Sequence, residues 1–236
     1  RSAGRTRGAL LAWLCMASSL AFAQQPDLYR RLGEIRDYIR FVPAKAERQL
    51  VQLSAQARSA DPRTKGDFLY LLCQSKRALG EKAQAATLAD ELLALGRRHQ
   101  DDVLIAKGLL SKAYVAFAMN ELTASHQLAW EAERLANTTG DMALRVAAAI
   151  SSGHAHAEEG NLPAALGKLQ EAVALARSYG RPIQTVMALN ALANQYGRLK
   201  EYDKGFEALA EASAIAAKTN SPGRMATLKN TEYGLA

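Results

Sequence analysis

The sequence predicts an all-α protein built as a solenoid of antiparallel helix pairs, about five repeats and the first helix of a sixth. Three observations carry that expectation. Ala and Leu dominate a chain of 236 residues of which only 6% are aromatic, and both types lose little on entering a helix. Apolar residues recur every third or fourth position, the helical period: Val146, Ile150 and Gly153, then Leu162, Ala165, Leu166, Leu169, Ala172, Val173 and Ala176. Polar breaks then return every 40 residues, around Gly80, Asn120, Gly160 and Lys200.

From the N-terminus, residues 1–23 predict an export signal. Arg1, Arg5 and Arg7 precede the apolar run "ALLAWLCMASSLAFA", which ends on the small-residue pattern Ala21-Phe22-Ala23. An N-terminal membrane anchor is the alternative, although the run is short for a bilayer span. Cleavage would remove three arginines and no acid, taking the formal net charge from +7 to +4. That charge is spread along the chain, whereas nucleic-acid binding usually shows a concentrated basic face. No nucleic-acid partner is expected. Cleavage would also leave Cys73 as the single cysteine, which excludes an internal disulfide framework. Its apolar neighbours predict a buried, unreactive thiol.

Residues 24–61 read as a degenerate first repeat, followed by units at 62–101, 102–141, 142–181 and 182–221. Each unit is predicted as a helix, a tight turn and a second helix. Pro62, Pro182 and Pro222 share one column, suited to a first helical turn, where the missing N–H goes unused. Gly33, Cys73, Ala113, Gly153 and Ala193 form an all-small column, predicted to let paired helices approach closely. Leu95, Leu135, Leu175 and Ile215 form an apolar one, and Ala132, Ala172 and Ala212 another. Gly140, Gly180 and Asn220 are expected to close second helices in the left-handed conformation. Arg97, Arg98, Arg177 and Lys218 suit the negative end of those helices. One pair cannot bury its apolar face alone, so stacking supplies the core. Residues 222–236 then read as the unpaired first helix of a further repeat. With Arg1 in place of an initiating methionine, this predicts a piece of a longer protein.

The turn "G-[ND]-[YL]-x-x-A", with small residues at fixed distances on both sides, resembles the tetratricopeptide repeat. The best matches are "EEGNLPAALGKLQEAVALA" and "ALNALANQYGRLKEYDKGFEALAEASAIA". In the second, Leu192, Ala193, Tyr196, Tyr202, Gly205 and Ala212 fall on the motif, Gly205 replacing the usual Ala. Lys76 and Ala116 stand where Tyr is common. The family repeat is about 34 residues, so a period of 40 is similar to longer varieties such as those of kinesin light chains. The resemblance implies a right-handed superhelix whose first helices line a concave, ligand-binding face. It is specific for fold and says nothing of the ligand. Export signal and repeats together are similar in architecture to the periplasmic sensory section of bacterial membrane-bound diguanylate cyclases. In those, a membrane helix and a catalytic domain with a GGDEF signature follow the repeats, and residues 24–236 contain neither. A stand-alone periplasmic scaffold or envelope assembly factor is the alternative.

"GHAHAEEGN", Gly153 to Asn161, looks at first like a metal site. His154 and His156 point about 200° apart on a helix and cannot share an ion. The pairs His154–Glu158 and His156–Glu159 can meet, but zinc generally needs three protein ligands. No metal and no cofactor are expected. No nucleophile elbow, Walker or dinucleotide pattern occurs, so no catalytic residue is named and the segment is not expected to be an enzyme. The expected partner is a protein or peptide, with any membrane contact made through a segment outside this chain. The resemblance places Tyr70, Gln74, Leu110, Tyr114, Ile150, His154, Asn190 and Asn194 on the concave face. Asn190 and Asn194, one turn apart, would clamp a peptide backbone, and Tyr70 and Tyr114 would give flat contact with a polar tip. Lys107 or Arg198 would read a carboxylate at the edge. Arg30, Arg31, Arg36 and Arg40 read as a solvated basic face.

Overall fold

In the computed structural model of the protein, residues 27–218 are described. The expected export segment, Asn220 and the helix from Pro222 lie outside them. Ten helices follow one another: α1 over 27–38, α2 (Pro43–Arg58), α3 (Pro62–Ala78), α4 (Lys82–His99), α5 (Asp102–Ala118), α6 (Leu122–Ala136), α7 (Met142–Glu158), α8 (Leu162–Tyr179), α9 (Pro182–Arg198) and α10 (Tyr202–Lys218). They pair as five hairpins stacked into a right-handed solenoid, with no strand among the described residues. Nor is any described helix long and apolar enough to cross a membrane.

A capping column starts the first helices. Asp61 accepts from the backbone N–H groups of Arg63 and Thr64, Asp101 from Val103 and Leu104, and Asp141 from Leu144. These satisfy donors that a helix start leaves unpaired. At the equivalent place before α9 stands Arg181, which offers no acceptor, and Pro182 follows. Asp101 also accepts from Arg63 Nε at 2.6 Å. Asp101→Ala is expected to lower unfolding stability by about 1 kcal/mol, measured by urea denaturation; an unchanged midpoint would dismiss the cap.

Within the hairpins, Gly80, Asn120, Gly160 and Lys200 have φ of 81°, 65°, 78° and 61°. The recurring break is therefore one repeated left-handed turn, held even by a lysine. Gly180, with φ 71°, closes α8 as expected. Gly140 does not close α6, which corrects the expectation. That helix stops at Ala136, and the Thr138 and Thr139 hydroxyls donate to the carbonyls of Leu135 (2.7 Å) and Ala136 (2.8 Å). Side chains thus satisfy the acceptors a further turn would have used.

The small column packs as predicted at four of its five places. A Cβ on Gly153 would stand 2.8 Å from Leu169 Cγ. The Cys73 thiol donates to the Ala85 carbonyl at 3.3 Å, and burial pushes its pKa up to about 11. Ala113 and Ala193 are buried. Gly33 breaks the series, since a Cβ there would meet nothing within 4 Å. α1 instead buries Leu28, Leu32, Ile35 and Ile39, and α2 starts 39 rather than 40 residues before α4. The first hairpin is out of phase with the others.

Candidate functional site

First helices α3, α5, α7 and α9 stand side by side along the inner wall of the solenoid, and α1 faces the starts of α7 and α9 across the groove. Between them lies a cavity of about 320 Å³. Tyr29, Arg36, Arg40 and Phe41 line it from α1 and the turn after it, and Asp67, Tyr70 and Gln74 from α3. Lys107, Asp141, Ala143, Ala147, Ile183, Gln184 and Met187 complete the wall from α5, α7 and α9. Charged groups meet apolar ones throughout.

A line of ion pairs crosses this wall. Arg36 Nη2 donates to Asp67 Oδ2 at 3.1 Å, and Lys107 Nζ donates to Asp67 Oδ1 at 2.8 Å. Lys107 also stands 3.4 Å from Asp141 Oδ2, the carboxylate that caps α7. Asp67 and Lys107 occupy the same repeat position, 40 residues apart. Their opposite charges make a mutual bond available wherever first helices stack.

Of the eight residues expected on the concave face, Tyr70 and Gln74 line the cavity. Tyr114, His154 and Asn194 share Gln74's repeat position in the following units. The Tyr114 hydroxyl donates to the Ala147 carbonyl at 3.3 Å, and the Arg77 guanidinium lies over its ring at 5.3 Å. Asn194 is exposed and Asn190 half-buried. Leu110 and Ile150 are corrections, being 0% and 4% exposed. Both sit at Tyr70's repeat position, on the border between wall and core. An aliphatic side chain there gains more by packing inward: Leu110 joins Leu144 and Ala148, and Ile150 joins Val146 and Leu189. The wall position one turn earlier holds Asp67, Lys107, Ala147 and Met187, of which sequence reading named Lys107 alone. The signal of that position was two opposite charges one period apart.

The arginines of α1 and of the turn after it divide between open surface and cavity lining, Arg40 being exposed there as well. Arg30 pairs with Asp27 and Glu34 in solvent, whereas Arg36 and Arg40 line the cavity. Arg198, expected to read a ligand, donates to Glu158 at 2.7 Å. Glu159 meets His126 Nδ1 at 3.0 Å, so both glutamates of the histidine-rich stretch reach other repeats. His156 stacks near Trp130, with centroids 5.7 Å apart. No group of three or more potential ligands for a metal ion stands together among the described residues.

His154 reports on the groove. Desolvation by the surrounding walls, then the charges of Arg40 and Arg198, depress its pKa from 6.5 to about 4, against an opposing pull from Glu158. The residue is nevertheless exposed, and water reaching it blunts the effect. The direction sets a stability window. Unfolded histidine takes up a proton first, so this contribution is present above pH 6.5 and is lost as pH falls toward 4. Arg40→Gln is expected to raise the His154 midpoint, read by NMR of the imidazole protons; an unmoved midpoint would separate Arg40 from this wall.

Compared with sequence-family models and with curated proteins, the chain matches none. Solved structures do match. The crystal structure of a Rap protein complexed with competence and sporulation factor aligns with a TM-score of 0.71 at 16% identity. That match covers 88% of this chain, which spans only 61% of the Rap chain. BtubC (BKLC) from P. vanneervenii aligns at 0.56 and 15% identity, over 94% of this chain and 93% of that one. A variant of a Podosopora anserina putative kinesin light chain with nearly identical TPR-like repeats aligns at 0.52 and 18% identity, over 83% and 97%. Identities this low establish the fold: the protein is an all-α, tetratricopeptide-like solenoid.

Proposed function

We propose that the chain is a non-catalytic recognition module that holds an extended segment of a peptide or protein in its concave groove. The observation that carries this reading is the cavity lined by the first helices of all five hairpins, which combines unfilled space, apolar surface and polar groups. Ligand sites commonly have that composition, and a Rap protein of the same fold was solved in complex with competence and sporulation factor. Peptides selected from a display library on the full chain should bind at least about tenfold more weakly to Ala143→Trp, whose indole would fill the cavity. Equal affinity would move the site elsewhere.

On a finer level, we read the chain as the exported, extracytoplasmic sensory part of a bacterial membrane signalling protein of the diguanylate cyclase kind. Support comes from the export-type pattern of residues 1–23 ahead of a binding solenoid. A ligand favouring one curvature would shift the population of conformations passed to the attached domains. Alkaline phosphatase fused after residue 236 should be active in bacteria, and an inactive, full-length fusion would refute export.

A further inference from the structure

Within the cavity, two polar groups stand apart from the paired ones around them. Asp67 already binds both Arg36 and Lys107, and Asp141 is held by the α7 start and Lys107. Asp37, three residues before Arg40, is already engaged. Arg40, by contrast, stands on the lining with no ion pair among the described residues. Opposite it, Gln184 lines the same cavity and is only 9% exposed, and its buried Oε1 has no hydrogen-bond partner. A buried acceptor left unpaired costs stability unless something donates to it. Its own helix start, α9, is the one that carries Arg181 in place of the capping aspartates. The wall thus offers an exposed guanidinium with no ion pair among the described residues, free to take an anion from a ligand, and a buried amide oxygen in need of an N–H.

Resting on the groove-binding reading above, we infer that the cavity takes an internal segment of an extended peptide, with an acidic side chain on Arg40 and a backbone N–H on Gln184 Oε1. Guanidinium and carboxylate match in geometry as well as charge. Tyr29, Phe41, Ile183 and Met187 give apolar neighbours for the residues beside the acid. The volume of about 320 Å³ is at the small end for ligand cavities, enough for only part of a bound chain. Beyond it the groove continues past Tyr114, His154 and Asn194, which lie two turns further along their helices than the cavity-lining position of Asp67. A bound chain therefore runs on along the wall, which favours an acidic side chain over a terminal carboxylate.

The test uses three degenerate pentapeptide pools on the immobilised full chain: X-X-Glu-X-X and X-X-Gln-X-X with both ends blocked, and X-X-Gln-X-X with a free terminal carboxylate. Retained peptides are quantified by mass spectrometry. The blocked Glu pool should be retained about tenfold over the blocked Gln pool. Arg40→Gln should erase that preference with an unchanged melting curve, and Arg40→Glu should shift it toward a blocked X-X-Lys-X-X pool. Preference for the free-carboxylate pool would overturn the assignment in favour of a chain end. Equal retention of blocked Glu and Gln pools, above that on Ala143→Trp, would overturn the acidic specificity and leave groove binding standing. Retention no greater than on Ala143→Trp would remove groove binding itself. A Glu preference that survives Arg40→Gln would take the anion away from Arg40.

Discussion

Gly108→Ala is expected to destabilise the protein by about 2 kcal/mol, whereas Gly33→Ala is expected to stabilise it by up to about 1 kcal/mol. The substitution is the same and both sites are helical, so the difference isolates packing. A Cβ on Gly108 would stand 2.7 Å from Leu93 Cα and 2.9 Å from its backbone nitrogen. Those atoms belong to α4, the second helix of the preceding repeat, and cannot rotate away as a side-chain tip could. Either α4 and α5 separate, losing dispersion contacts along both, or the backbone strains. At Gly33 a methyl group meets nothing within 4 Å, and only the helix preference of Ala over Gly remains. Urea unfolding of both variants measures the pair. Shifts of the same sign would refute the close approach at Gly108.

Lys107→Met is expected to cost about 2 kcal/mol, because it leaves two carboxylates facing each other across a half-dry wall. Asp67 is 11% exposed at its side chain and would keep only Arg36, while Asp141 would lose its cation. Methionine replaces most of the apolar stem, so the loss is one of charge rather than volume. The double variant Asp67→Asn with Lys107→Met should recover part of the loss, since the remaining wall then holds one carboxylate fewer. Thermal melts of the two singles and the double complete the cycle. Strict additivity would mean that Lys107 and Asp67 act independently despite their 2.8 Å separation.

The period and its parts were legible in the sequence because they are local. A left-handed turn at Gly80, Asn120, Gly160 and Lys200 and a small residue at Gly153 are each fixed by their own helix pair. The first hairpin's phase was not legible, since it depends on one residue of connection before α2. Nor was the end of α6, where Thr138 and Thr139 compete with Gly140 for the last carbonyls. The groove was half legible. The tetratricopeptide resemblance placed Tyr70 and Gln74 on the wall. It gave Leu110 and Ile150 the same role, although side-chain chemistry turned them into the core. The facing wall could not be read at all, because Arg36 and Arg40 reach it only through the accumulated curvature of four hairpins.

That curvature has a consequence for how such a chain can change over time. A stacked array tolerates the duplication or loss of an internal unit, because each unit contacts only its neighbours. The cavity does not share this tolerance, since α1 meets α7 and α9 only when the intervening hairpins number what they do here. Copying one 40-residue unit in the middle would leave every interface intact and carry Arg40 away from Gln184. Function, rather than folding, counts the repeats.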